Sequence, residues 1–231
     1  GDQPSQAARV VEAMFKMGRA YEQQGQRGIA ERLYQQTVTE FAARRLAPAS
    51  DAAEFAAQAA FSLTEAQFEE FRQMKISGQV VKLDRQAERM AVRARELSRL
   101  YQLIWTYRRV NWTLAAMARE GSIYEAFARA YAEGFRTAPM PADLKKLMRG
   151  VSDEDREFFM GEYQTKVDEA LAAAVTPLEQ QALKLYEACL ARATEFGVAN
   201  EWARLARTRL NAYQPEKYPL LKEEKVDLAL E

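Results

Sequence analysis

Few side chains in this sequence can take part in acid–base, nucleophilic or metal chemistry, because its 231 residues include one cysteine and no histidine. Without an imidazole, the usual base of serine and cysteine nucleophile triads is missing, as are the histidine ligands of HExxH zinc sites. Cys189 stands in an alanine-rich stretch, so an intrachain disulfide is excluded and a small buried side chain is expected. Catalysis would have to use Asp, Glu, Lys, Tyr or Cys alone.

Three short acidic clusters are candidates for cation binding or paired acid–base work: residues 153–155, Glu69-Glu70 and Glu223-Glu224. Residues 153–155 fall in the first turn of a predicted helix, where carboxylates interact favourably with the helix dipole. The other two clusters lack a third converging ligand or a calcium-binding loop. We therefore predict no metal, no cofactor and no catalytic carboxylate pair, and we expect the chain not to be an enzyme.

Arginines are frequent between Arg85 and Arg109, where neighbouring aromatic residues offer surfaces for stacking nucleic-acid bases. These aromatic residues follow the inward stripe of the predicted helix, and Glu88 and Glu96 interrupt the basic run. The 33 basic and 33 acidic side chains cancel, so no net charge attracts a polyanion. A solvated helix face is the preferred interpretation, and nucleic-acid binding is the alternative.

The elements that must position these side chains are helices. Only 10 glycines and 7 prolines interrupt a sequence rich in helix formers, and apolar residues recur at three- and four-residue spacing. No apolar run approaches the ~20 residues of a membrane-spanning helix. The first residue is Gly1 rather than Met, which is typical of a trimmed chain or a mature fragment. Predicted helix starts are marked by capping residues at Ser5, Asp51, Asn111, Ser152 and Thr176-Pro177, and the last helix is expected to begin around Asn200.

Repeat spacing in the first two helices indicates tetratricopeptide-like packing. Small residues at Gly18 and Ala30 let two helices approach closely, while Tyr21 and Tyr34 fill the remaining space. The full pattern is Met14-x2-Met17-Gly18-x2-Tyr21 followed by Ala30-x3-Tyr34.

A similar spacing returns in split form later in the chain. Met117-x2-Glu120-Gly121-x2-Tyr124 matches a first helix and Ala182-x3-Tyr186 a second, with an insertion between them. Glu120 stands where a large apolar residue is usual. Trp202-x2-Leu205-Ala206 resembles the start of a further first helix. Ordinary amphipathic packing is the alternative for these later matches.

Together these patterns predict one all-α domain over 1–231, a TPR-like α-solenoid of antiparallel helix pairs with irregular repeats and an inserted helical segment. Its predicted parts are a first hairpin at 6–43, a degenerate pair at 51–107, a split unit at 111–196 with an insertion at about 135–176, a final helix at 200–212 and an extended tail at 213–231.

The order of these parts resembles the tetratricopeptide proteins of deltaproteobacterial cell envelopes, in particular the adventurous gliding motility TPR lipoprotein family of myxobacteria. The resemblance is carried by residues 57–71 (AQAAFSLTEAQFEEF), 138–141 (APMP), 196–202 and 214–221. It implies a periplasmic protein, held near the outer membrane by a lipid on a cysteine upstream of these residues, that helps assemble an envelope-spanning motility complex. A cytoplasmic helical adaptor is the alternative.

Other proteins are the predicted partners, and the inner face of the first helix pair is their predicted site. An exposed Phe15 would serve there as an apolar anchor among charged neighbours, and burial of Phe15 by neighbouring helices is the alternative. The residues of this predicted site are Glu12, Phe15, Arg19, Glu22 and Gln23.

Overall fold

The computed structural model describes residues 5–221, and this part of the chain is helical and contains no strand. The predicted all-α class is therefore confirmed. The helices of the described range are α1 (Gln6–Gln23), α2 (Arg27–Ala43), α3 (Asp51–Arg72), α4 (Val80–Trp105), α5 (Val110–Thr137), α6 (Ala142–Met148), α7 (Asp153–Glu195) and α8 (Glu201–Tyr213).

The capping residues predicted at Ser5 and Ser152 are confirmed, whereas Ser50 and not the predicted Asp51 caps α3. Ser5, Ser152 and Asn200 each accept a hydrogen bond from the backbone N–H three residues further on, at 3.2, 3.1 and 3.0 Å. α5 begins differently, because Arg109 has extended backbone angles and its carbonyl accepts the first helical hydrogen bond. The predicted cap at Asn111 is therefore wrong.

α7 runs without a break through Pro177. Thr176 and Pro177 predict the start of a new helix, and this prediction is wrong. Val167 before the proline and Leu178 after it pack against the same hydrophobic cluster, so the helix is held on both sides. This packing offsets the hydrogen bond that proline cannot donate and the clash of its ring with the preceding turn. The segment at 135–176 thus comprises the end of α5, all of α6 and the first half of α7.

The main helix contacts follow the order of the chain. α1 packs on α2 and α3, and α2 packs on α3. α3 packs on α4 and α5, and α4 on α5; α5 packs on α7 and α8, and α7 on α8. Consequently α1, α3, α5 and α8 form a row of neighbouring helices, and α2, α4 and α7 each lie between two members of that row.

The largest hydrophobic cluster lies among α3, α4 and α5, with part of α7 packed against it. A second cluster joins α5, α7 and α8, and two smaller ones join α1, α2 and α3. Apolar burial therefore follows the same neighbour-to-neighbour order. Within residues 5–221, none of the helices combines the length and the apolar composition that crossing a membrane requires.

The segment after α8 folds back on α7. The Tyr218 hydroxyl donates to Glu187 at 2.7 Å, and Lys217 Nζ lies 2.8 Å from the same carboxylate. Asn211 Nδ2 donates to the carbonyl of Tyr218 at 2.9 Å. The first part of the predicted tail is thus fixed to the body, and the part from residue 222 onward lies outside the described residues.

Candidate functional site

Two glycine–tyrosine contacts have the same geometry in two helix pairs. A Cβ placed on Gly18 would lie 2.7 Å from Cε1 of Tyr34, and one placed on Gly121 would lie 2.7 Å from Cε1 of Tyr186. The alanine four residues before each tyrosine is also buried, at 2% and 1% exposure. Because glycine has no side chain, α1 can approach α2, and α5 can approach α7, to a distance that any other residue would prevent.

Each of these tyrosines donates a hydrogen bond to a glutamate on the partner helix. Tyr34 bonds Glu22 at 2.8 Å, and Tyr186 bonds Glu125 at 3.0 Å. Burial, with the adjacent carboxylate, raises the pKa of both hydroxyl groups. Glu125 is also 3.5 Å from Arg209, so α8 contributes a charge to the pair formed by α5 and α7.

The remaining repeat residues divide between core and surface. The sequence predicts a packing role for Met17, but its side chain is 50% exposed, so this prediction is wrong. The equivalent position in α5 is Glu120, which α4 covers, whereas no described helix precedes α1. The other predicted packing residues are buried or half-buried: Met14, Tyr21, Tyr124, Trp202, Leu205 and Ala206.

Glu120 is a carboxyl group in the core, only 2% exposed. Its Oε1 accepts hydrogen bonds from Ser98 Oγ and from Gln102 Nε2, the latter at 2.7 Å, and its Oε2 has no partner among the described residues. Burial raises the pKa of this group, and the two hydrogen bonds oppose that effect in part.

The predicted partner-binding residues do not form one exposed surface. Phe15 is 5% exposed, because the rings of Tyr34 and Phe55 lie 5.7 and 5.6 Å from its own. The predicted exposed anchor is therefore wrong, and the alternative of burial is correct. The other four residues are exposed or partly exposed, and of these only Glu22 lines the groove described next: Glu12, Arg19, Glu22 and Gln23.

A groove of about 730 Å³ lies along α3 and is bounded by residues of α1, α2, α5 and α8. Its apolar part consists of three neighbouring rings. The ring centroid of Phe61 is 5.4 Å from that of Trp112 and 5.3 Å from that of Trp202. Carboxylates surround these rings, and the basic lining residue is Arg27. The acidic lining residues are Glu22, Glu31, Glu65, Glu69, Glu70 and Glu201.

One guanidinium is already held at the edge of this groove. Arg119 Nε lies 2.9 Å from both carboxylate oxygens of Glu65, and its guanidinium carbon lies 5.0 Å from the Trp202 ring centroid and 5.4 Å from that of Phe68. Tyr101 also donates a hydrogen bond to Glu65, and burial raises the pKa of the Tyr101 hydroxyl. A carboxylate and an aromatic face together stabilise an arginine more than either does alone.

A second carboxylate fixes the indole of Trp112. Trp112 Nε1 donates to Glu54 at 2.7 Å, and Arg109 pairs with the other oxygen of the same carboxylate. The polar atom of the indole is therefore satisfied, and the ring is held in a fixed position at the groove.

Three groove carboxylates form no ion pair with any residue in the described range: Glu31, Glu70 and Glu201. By contrast, Glu65 pairs with Arg119, and Glu69 lies 3.0 Å from Arg72. The lining of the groove is therefore acidic, although the formal charge of the whole chain is zero.

The sequence contains a signal for α3 as one wall of this groove. Ser62, Glu65, Ala66, Glu69 and Gln73 recur at three- and four-residue spacing and so share one helix face. Taken alone, that pattern indicates an ordinary solvated face. The enclosure by α1, α2, α5 and α8 comes from contacts that the sequence pattern does not show.

The arginines of α4 lie outside the groove. Arg85, Arg89, Arg95 and Arg99 are exposed. Of the aromatic residues near this basic run, Tyr101 is buried as predicted, whereas Trp105 is 36% exposed. This arrangement agrees with a solvated helix face.

Cys189 is a core residue, and the acidic cluster at 153–155 is part of a helix start. Cys189 is fully buried, its Sγ lies 3.5 Å from the carbonyl oxygen of Leu114, and burial raises its pKa to about 12. The cluster occupies the first turn of α7, as predicted. In the part of the chain that the structure describes, no three Cys, Asp or Glu residues are grouped so that they could hold a metal ion.

Comparisons with protein-family models, with curated proteins and with solved structures give no match to this chain. The interpretation of the groove therefore rests on the geometry and charges of the chain itself.

Proposed function

We propose that this chain is a non-catalytic scaffold of the tetratricopeptide-like solenoid kind, which binds a segment of another protein in the groove along α3. The observation that carries the proposal is the groove itself, in which three aromatic rings are surrounded by six carboxylates. Protein-binding surfaces commonly combine fixed aromatic side chains with polar groups at their edge.

The solenoid part of the proposal is supported by the order of the helix contacts. Stacked helix pairs contact only the next unit along the chain, and the main contacts here have that order. The matching contacts of Gly18 with Tyr34 and of Gly121 with Tyr186 are expected where two units have the same internal packing.

The non-catalytic part is supported by the state of the groove carboxylates. General acid–base catalysis needs a carboxyl group that can exchange a proton with a bound substrate. Glu65 is occupied by Arg119 and Tyr101, and Glu31 and Glu70 are exposed to solvent. The usual general bases are a histidine or a carboxylate that is shielded from water. The chain contains no histidine, and these three groove carboxylates are either paired or exposed.

Filling the groove tests this function. Ala66 is exposed and lines the groove, so Ala66→Trp adds bulk there without disturbing the core. Ala188→Trp adds the same bulk at an exposed position of α7 that does not line the groove. We expect affinity capture from the native host to lose its specific partner with Ala66→Trp and to keep it with Ala188→Trp. Undiminished capture by Ala66→Trp would contradict the proposal.

The resemblance of residues 57–71 and 138–141 to envelope tetratricopeptide proteins supports a more specific proposal. According to this proposal, the protein is periplasmic and is associated with the outer membrane through an upstream lipid anchor. It belongs to an envelope assembly such as the gliding motility machinery. Fractionation of the native host tests this compartment. Recovery with outer membranes supports it, whereas recovery with cytosolic proteins supports the cytoplasmic adaptor.

Nucleic-acid binding through α4 is a second candidate, because its four exposed arginines form no ion pair with a described residue. It predicts retention on a polyanion column that falls steeply with salt. A lack of retention at low salt would exclude it.

A further inference from the structure

We infer that the segment bound in the groove is basic, with lysine or arginine side chains that lie against Trp112 and Trp202 and pair with Glu31, Glu70 and Glu201. This inference rests on the proposed function, since it names the chemistry of the partner that the groove accepts.

The charge of the groove is unbalanced. Six carboxylates line it against one arginine, Arg27. Ion pairs within the chain involve Glu22, Glu65 and Glu69, whereas Glu31, Glu70 and Glu201 have no such pair with a described residue. A cationic segment gains favourable interactions with these three groups, and an acidic segment is repelled by them.

The chain itself places a guanidinium at this site. Arg119 lies over the ring of Trp202 and pairs with Glu65 through two hydrogen bonds. A basic side chain of a partner would meet the same two kinds of group on the open side of the groove, an indole face and a carboxylate.

The groove is long enough to hold an extended peptide segment. Its α3 wall extends from Phe61 to Gln73, a rise of ~18 Å, which an extended peptide of about five residues would span. Beyond Trp112 and Trp202 the groove continues into a cavity of about 390 Å³ that shares both indoles and is also lined by Arg204 and by Glu54, which Arg109 already pairs. A segment is therefore a better fit than a single small cation.

A displayed library of random 12-residue peptides, selected on the purified protein, tests the inference. We expect the selected peptides to be enriched in lysine and arginine, and their affinity to fall as salt is raised. The double variant Glu31→Lys/Glu70→Lys should bind them at least about tenfold more weakly, because two favourable charge interactions become repulsive. The matched control, Glu157→Lys/Glu162→Lys, makes the same charge change on an exposed part of α7 and should bind within about twofold of the original protein.

The outcomes separate this inference from the proposed function. Selected peptides that are not enriched in basic residues, but that Ala66→Trp excludes, overturn the inference and leave the scaffold function standing. Basic peptides that both double variants weaken equally also overturn it, because their binding then depends on net charge and not on the groove. If Ala66→Trp excludes no selected peptide, the inference and the proposed function both fail.

Discussion

Gly121 and Tyr186 are in such close contact that a methyl group on the glycine would sit 2.7 Å from the tyrosine ring. Gly18 and Tyr34 have the same relationship in the first helix pair. These two contacts set the distance between paired helices, so the positions of the helices that line the groove depend on Gly18, Gly121 and Tyr186, which lie outside it, as well as on Tyr34, which lines it.

Gly121→Ala should destabilise the protein by about 1–2 kcal/mol, because the clash with a rigid ring outweighs the ~1 kcal/mol gain in helix propensity. Gly161→Ala is the matched control, since an added Cβ at Gly161 meets no atom within 4 Å. It should raise stability by ~0.5–1 kcal/mol. Urea unfolding monitored by circular dichroism measures both changes. Equal stabilisation by the two substitutions would show that the close contact does not exist.

Pro177→Ala tests the continuity of α7 through the sign of its effect. In the interior of a helix, proline removes a hydrogen bond and strains the preceding turn, so alanine should stabilise the protein by about 1–3 kcal/mol. At the first turn of a separate helix, proline is favourable and its replacement would be destabilising. Urea unfolding decides between these two outcomes.

Glu120 should give the protein a stability that depends on pH. Its pKa is raised above 4.5 in the folded state, so the folded protein binds this proton more tightly than the unfolded chain does. The free energy of unfolding should therefore fall as pH rises from about 4.5 through the folded pKa, and recover as pH is lowered. Glutamine cannot ionise, so Glu120→Gln should remove this pH-dependent part of the free energy of unfolding. Glu157→Gln, at an exposed site, should leave it unchanged. Identical pH profiles for Glu120→Gln and the original protein would contradict the assignment.

Arg119→Lys should cost about 1 kcal/mol, although it keeps the charge, because lysine cannot pair with both oxygens of Glu65 and stack on Trp202 at once. The control is Arg72→Lys. The ion pair of Arg72 with Glu69 is exposed, so this substitution should leave the unfolding midpoint unchanged. Thermal unfolding of the two variants provides the comparison. A loss that is the same for both would mean that the stacked geometry contributes nothing.

Cys189 should react slowly with thiol reagents in the folded protein. Burial raises its pKa from 9.0 to about 12, which lowers the thiolate fraction at pH 8 by a factor of about 1,000. Stopped-flow labelling with a chromogenic disulfide, with and without denaturant, measures the protection. Equal rates in the two conditions would place the thiol at the surface.

Local patterns predicted much of the fold. Ser5 and Ser152 cap helices as expected, and the glycine and tyrosine of the first repeat are in contact. These features depend on neighbours a few residues away or on one hairpin, so their physical cause is contained in a short stretch of sequence.

The failures have a common origin in contacts between distant segments. Phe15 is buried because Phe55 of α3 covers it, and α7 continues through Pro177 because it packs on a core built from distant helices. The groove also depends on such contacts, because Trp202 meets Phe61 only when α8 packs on α5 and α7. No short window of the sequence contains such information.

The neighbour-to-neighbour order of the helix contacts also determines how the molecule should open. α1 packs mainly on α2 and α3, whereas α5 packs on α3, α4, α7 and α8. Amide protons of α1 should therefore exchange with solvent sooner than those of α5. An occupant of the groove would touch both α1 and α8, the first and last helices of residues 5–221. A bound segment would link α1 to α8. The helices would then unfold together in one cooperative transition, instead of opening first at the two ends.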